Sequence, residues 1–195
     1  MDRANPTRRV PAIDRRRFLR GAGGLCGAAV AGAVLGPHPA LAALAGVEEI
    51  RSLSFVHTHT GEHLVTPYWR GGQYVPAQLE RVNHFLRDFR TGDVHVIDPG
   101  LLDLLYRLQT LADRDSPFEV ISGYRSPKTN AMLRARSEGV ALHSMHMLGK
   151  AIDIRLDGYA TRRLADCARS LCLGGVGFYA RSDFVHVDTG RVRYW

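Results

Sequence analysis

Two short segments of alternating polarity, residues 150–156 and 184–188, constrain this chain more than any other feature. In the first, Ala151, Asp153 and Arg155 alternate with Ile152, Ile154 and Leu156, the period of a strand with one face in a core. In the second, Val185 and Val187 oppose Phe184, His186 and Asp188. If the two strands are neighbours, Asp153 and His186 meet over one face of a sheet. His146 then arrives from the turn before the first strand, where Gly149 and Ala151 keep bulk away. A lone histidine among apolar residues is usually a hydrogen-bonded core group. His146 is not alone, because an aspartate on a buried strand position is costly unless a cation pairs with it. Two imidazoles and one carboxylate suit a zinc ion, and three protein ligands leave a fourth position for water.

The pattern S-x-H-x-x-G-x-A-x-D runs from Ser144 to Asp153. It follows Ser122-Gly123-Tyr124-Arg125-Ser126 and precedes F-V-H-V-D-T-G at 184–190. These three blocks, in this order, resemble the zinc peptidases of the M15 class, and within it the DUF882 group. The resemblance covers about residues 50 to 195, one domain by the usual size prior. It implies a small α+β domain of the hedgehog/DD-peptidase fold with a central antiparallel sheet. It implies zinc held by His146, Asp153 and His186. Arg125 matches the functional arginine of the class, where a guanidinium holds a substrate carbonyl or stabilises the oxyanion. Ser144 matches a position used near substrate.

The activity so implied is zinc-dependent hydrolysis of peptide cross-links between stem peptides of bacterial peptidoglycan. The bond stays open among D-alanyl–diaminopimelate, diaminopimelate–diaminopimelate, and the terminal bonds trimmed by D,D- or L,D-carboxypeptidases. The general base is also open. Carboxypeptidases of the class carry glutamate three residues before the last zinc histidine, and Asp183 stands at that position here. Asp188 competes, since it shares the sheet face of His186 and can orient that imidazole. The missing glutamate keeps a second reading, a non-catalytic peptidoglycan-binding protein that retains the zinc fold. A structural zinc is disfavoured because no fourth protein ligand is evident.

At the N-terminus, Asp14-Arg15-Arg16-Arg17-Phe18-Leu19-Arg20 resembles a twin-arginine export signal, and a glycine- and alanine-rich apolar run follows at 21–35. That run falls short of the ~20 residues that span a bilayer. Ala40-Leu41-Ala42 and Ala43-Leu44-Ala45 both fit a small-residue cleavage site. The expected organisation is therefore a signal peptide at 1–45 and a zinc peptidase domain at 46–195, placed in the periplasm, with an uncleaved anchor as the alternative. Seven arginines and two acids fall in residues 1–45, a net of +5, which leaves +2 of the chain's +7 for the rest. A nucleic-acid partner thus loses its electrostatic support. The expected partners are the twin-arginine machinery and peptidoglycan stem peptides, met by a monomer.

The remaining pattern predicts a hairpin of strands 53–57 and 63–68 around Thr58-His59-Thr60-Gly61. Helices follow at 76–90, from Asp98 to about Asp113, at 128–136 and at 161–173, with strands at 118–122 and 176–179. His57, His59 and His63 read as exposed hairpin residues. His143 stands near the chemistry without a pattern of its own. Cys167 and Cys172 read as two buried thiols, too far apart along one helix to bridge.

Overall fold

The computed structural model describes residues 49–137 and 139–195; the expected signal peptide at 1–45 lies outside them. Strands β1 (Ile50–His57) and β2 (His63–Arg70) form the expected hairpin, extended by β3 (Gln73–Tyr74). Helices α1 (Pro76–Phe85) and α2 (Pro99–Ala112) lead to β4 (Phe118–Ser122), α3 (Pro127–Arg134) and a 3₁₀ turn at Met145–Leu148. Then come β5 (Ala151–Leu156), α4 (Thr161–Leu171), β6 (Gly175–Tyr179), β7 (Phe184–Asp188) and β8 (Arg193–Tyr194). The fold is α+β.

Among the described residues one sheet carries eight strands in the order β3-β2-β1-β4-β5-β7-β6-β8. The expectation of an antiparallel sheet is corrected here: the sheet is mixed. β1 pairs with β4 in parallel, because α1 and α2 carry the chain across before β4 is laid down, and β8 runs parallel to β6. Phe55, Phe118, Ile152, Ile154, Val185 and Val187 point from the sheet into a core closed by Leu101, Leu105 and Leu108 of α2 and Leu164 and Ala168 of α4. The other face of β5 and β7 is thereby free to carry polar side chains.

The helix ends depart from the periodic pattern for identifiable reasons. α1 stops at Phe85 rather than Arg90, because the Leu86 carbonyl accepts from the Tyr124 amide at 2.7 Å and no helical donor reaches it. Asp98 caps α2, accepting from the Gly100 amide at 2.9 Å, and Asp113 closes it in the left-handed conformation. Ser126 caps α3 through Thr129. α4 ends at Leu171 because Cys172 adopts the left-handed cap at φ 52°. Only Cys167 is partly covered; Cys172 is exposed on that cap, which corrects the reading of two buried thiols, and both are free. His57 is likewise corrected. It is buried beside Phe85 and Phe89, since position 57 shares the core-facing alternation of Leu53 and Phe55, whereas His59 lies outside and stacks on Phe89.

Candidate metal centre

Asp153 and His186 are register partners across β5 and β7, so backbone pairing alone sets their side chains together on the face away from the core. His146 reaches the same point from the 3₁₀ turn. Asp153 Oδ1 lies 2.9 Å from His186 Nδ1 and 3.2 Å from His146 Nε2, and the two imidazole nitrogens are 3.2 Å apart. All three residues are buried. Donors about 2.0–2.1 Å from a tetrahedral centre stand about 3.3–3.4 Å apart, so the triangle has the dimensions of one face of a zinc coordination shell.

Backbone contacts hold the turn that carries His146. Gly149 closes it at φ 66°, and any Cβ there would stand 2.1 Å from the Val96 carbonyl, so only glycine fits. The Gly149 carbonyl accepts from the Asp98 amide, and Thr189, just beyond β7, donates its hydroxyl to Asp98 at 2.7 Å. The His146 Nδ1–H donates to the Gly123 carbonyl at 2.7 Å, which fixes the tautomer and turns the Nε2 lone pair toward Asp153. Gly123 in turn presses on Leu86, whose carbonyl would lie 2.6 Å from a Cβ at 123.

Asp188 performs the same service for His186. Its Oδ2 accepts from His186 Nε2 at 2.9 Å, leaving Nδ1 to face the cluster. Asp188 is fully buried, yet Arg193 donates to both of its oxygens, at 3.0 and 2.7 Å, and the Gly175 and Gly190 amides donate to Oδ1. Burial opposes its charge, but these bonds from His186, Arg193 and Gly190 hold the carboxyl well below the ordinary range.

Asp153 is held low in the same way, with burial outweighed by the two histidines. Burial pushes His146 down. For His186 burial also works downward, but the hydrogen bonds to Asp153 and Asp188 prevail and hold it at about 8. The two carboxylates thus favour a positive charge on the His186 ring between them, the same preference that would favour a divalent cation at this point.

Arg125 leaves β4 toward the same cluster, its Nη2 3.5 Å from Asp153 Oδ2. Burial lowers the stability of its charge and Asp153 restores part of it. Its Nε is buried with no hydrogen-bond partner among the described residues, a spare donor beside the cluster. Asp88, just past α1, fixes the backbone next door: Oδ2 accepts from the Ser126 amide and hydroxyl at 2.9 and 2.7 Å, and Oδ1 from the Arg90 amide. Ser144 is buried at the mouth of the turn and makes no capping hydrogen bond.

A cavity of about 440 Å³ opens over the cluster. Arg125, Ser144, His146, Asp153 and His186 all line it, as do His143 and an aromatic side formed by Tyr179, Phe184 and Trp195. Asp183 is not brought to the cluster in this conformation. Its left-handed backbone, φ 51°, turns the carboxylate to Thr161 Oγ1, which donates at 2.6 Å, and toward Arg155 at 3.7 Å. Its neighbours Ser182 and Phe184 do line the cavity. Asp88, Arg193 and Trp195 carry no motif and were not visible in the pattern, whereas Gly123 sat within the quoted S-G-Y-R-S block.

A buried His-Asp-His triangle with one open side, on a mixed α+β sheet, defines a metallopeptidase type of site. Comparison with known proteins agrees: the family model described as peptidoglycan L,D-endopeptidase MepK matches residues 45–195. The chain belongs to this M15-type peptidase family. It is 44% identical over 182 residues to the peptidoglycan L,D-endopeptidase MepK of Escherichia coli K12, covering 93% of this chain and 97% of that protein. The match to the Shigella flexneri protein of the same name has the same identity and coverage. A probable peptidoglycan L,D-endopeptidase MepK of Haemophilus influenzae is 44% identical over 154 residues, 78% of this chain and 83% of that one.

Proposed function

We propose that this chain is a zinc-dependent endopeptidase that hydrolyses L,D peptide cross-links of bacterial peptidoglycan in the periplasm. The observation that carries the proposal is the convergence of His146 Nε2, Asp153 Oδ1 and His186 Nδ1 at zinc-like spacing on the floor of a cavity. Family membership and the printed activity of the relatives supply the substrate class. A bound zinc supplies Lewis acidity, which polarises a carbonyl and makes water a nucleophile near neutral pH.

The chain's own residues account for the remaining roles. Arg125, with a spare buried Nε and a guanidinium held on Asp153, donates to the substrate carbonyl and to the oxyanion that develops from it. Ser144 lines the approach and binds the peptide. Asp188 is a positioning residue, because its two oxygens are already taken by His186, Arg193 and two amides. Asp183 is the general base in this proposal: its carboxylate is mostly exposed, and its neighbours Ser182 and Phe184 line the cavity. The aspartate-for-glutamate change shortens that reach by one methylene.

Residues 1–45 act as a twin-arginine signal that delivers the domain to its polymer. Among the described residues no helix is long and apolar enough to cross a membrane. Digestion of purified sacculi by the zinc-loaded protein, followed by analysis of released muropeptides, tests the function. Loss of L,D cross-links with appearance of monomers is expected. Shortened stems with cross-links intact would make it a carboxypeptidase, and tight binding without cleavage would make it a binding protein.

A further inference from the structure

We infer that the indole of Trp195 is the specificity wall of this site, packing against the aliphatic side chain of the cross-linking amino acid beside the scissile bond. The inference rests on the endopeptidase reading above and concerns a residue to which that reading gives no role.

Gly177 on β6 is the register partner of His186, so a side chain there would stand beside that ligand. Instead the Trp195 ring occupies the space, and a Cβ at 177 would lie 2.5 Å from indole Cε2. Both the backbone and the ring are held. Trp195 donates its amide to Val176 at 3.2 Å and accepts from Phe178 at 3.0 Å, while Nε1–H donates to the Tyr179 hydroxyl at 2.9 Å. The Arg193 guanidinium lies 5.0 Å from the ring centroid, and that arginine is itself clamped on Asp188. Yet Trp195 remains 47% exposed, lines the cavity, and places its ring 5.3 Å from the His186 ring. Tyr179 and Phe184, stacked at 4.5 Å, continue the same side.

The cavity is therefore two-sided. Arg125 and Ser144 offer hydrogen bonds, and the Trp195 side offers a rigid apolar surface. A peptide whose carbonyl meets Arg125 turns a neighbouring side chain toward the indole. An unbranched methylene chain, as in a diamino acid, gains from desolvation on that ring without needing a polar partner. Because the ring is locked before binding, little rotamer freedom is lost on contact.

The test compares cross-linked peptides whose bridging side chain is of natural length with analogues shortened by methylenes, using zinc-loaded protein. Trp195→Ala should lower kcat/KM on the long substrate by roughly ten- to fiftyfold, mainly through KM, and on the short one by much less. Gly177→Ala, which displaces the ring, should reproduce that pattern, and Trp195→Phe should keep part of the activity. Zinc content should match the parent in all three. Equal losses on both substrates, or a fall in kcat with KM unchanged, would overturn the inference. The chain has two tryptophans, and Trp69 leaves its indole N–H unbonded, so Trp69→Phe isolates the fluorescence of Trp195. Binding of the released muropeptide product should then shift that emission; an unchanged spectrum at saturation overturns the inference. A parent protein that cleaves no cross-linked peptide refutes the endopeptidase reading alone, and the emission measurement still decides the role of Trp195.

Discussion

Asp188 grips His186 by Nε2 at 2.9 Å while Asp153 meets the same ring at Nδ1, also at 2.9 Å, so one imidazole is held between two carboxylates. The ring has no freedom to turn its other nitrogen inward. That relationship separates ligand from support. Removing His146, Asp153 or His186 by alanine should abolish stoichiometric zinc on metal analysis, since two donors make an incomplete shell. Asp188→Asn should keep the metal at high concentration but weaken it roughly 10- to 100-fold, the usual cost of losing an orienting partner. Full zinc affinity in Asp188→Asn would remove the aspartate from that role.

The proposed roles of Asp183 as base and Arg125 as oxyanion donor are tested by turnover in zinc-loaded protein. Asp183→Asn should bind zinc normally and lose roughly two to four powers of ten in kcat. Arg125→Ala should also retain zinc and lose roughly two to three powers of ten. Near-normal cleavage by Asp183→Asn together with collapse in Asp188→Asn would transfer the proton-accepting role.

Asp88 gives a stability prediction with a pH signature. It is buried, and although burial raises its pKa, hydrogen bonds from the Thr129 and Ser126 side chains and the Ser126 and Arg90 amides bring it below the ordinary 3.8. A carboxyl depressed on folding stabilises above its unfolded pKa, and that contribution shrinks as pH falls below about 3.8 toward the folded value. Asp88→Asn should therefore lower stability by about 2 kcal/mol at pH 7, with a smaller difference from the parent in denaturant titrations near pH 3. A pH-independent difference would mean that charge is not what Asp88 contributes.

Replacing Arg15 and Arg16 together by lysine should leave precursor in the cytoplasm if residues 1–45 are a twin-arginine signal. Fractionation and blotting read the result, and unchanged processed protein in the periplasm would reject that route.

The alternation of residues 150–156 and 184–188 was enough to foresee the Asp153–His186 pairing, because a period of two assigns every side chain to a face. Strand β4, the hairpin and the Asp98 cap were legible for similarly local reasons. The parallel β1–β4 pairing was not. It depends on where two helices carry the chain, and no local period records that. His57 departs from the exposed expectation because the core-facing alternation of Leu53 and Phe55 continues to the last residue of β1. Asp88, Arg193 and Trp195 escaped because each acts from at least five residues away in sequence, through side-chain contacts that spacing does not encode.

The place of β4 in the sheet also bears on how the chain is made. Its neighbours are β1, which precedes it by some sixty residues, and β5, which ends at Leu156. A nascent chain that reaches Ser122 but stops short of Ala151 can pair β4 with β1 and leaves its other edge open. Such non-local pairing forms slowly and cooperatively. The N-terminal hairpin and the strands that carry Asp153 and His186 therefore mature as one unit, and a fragment carrying only residues 118–195, with every proposed ligand present, should expose β4 as a sticky edge instead of assembling the centre.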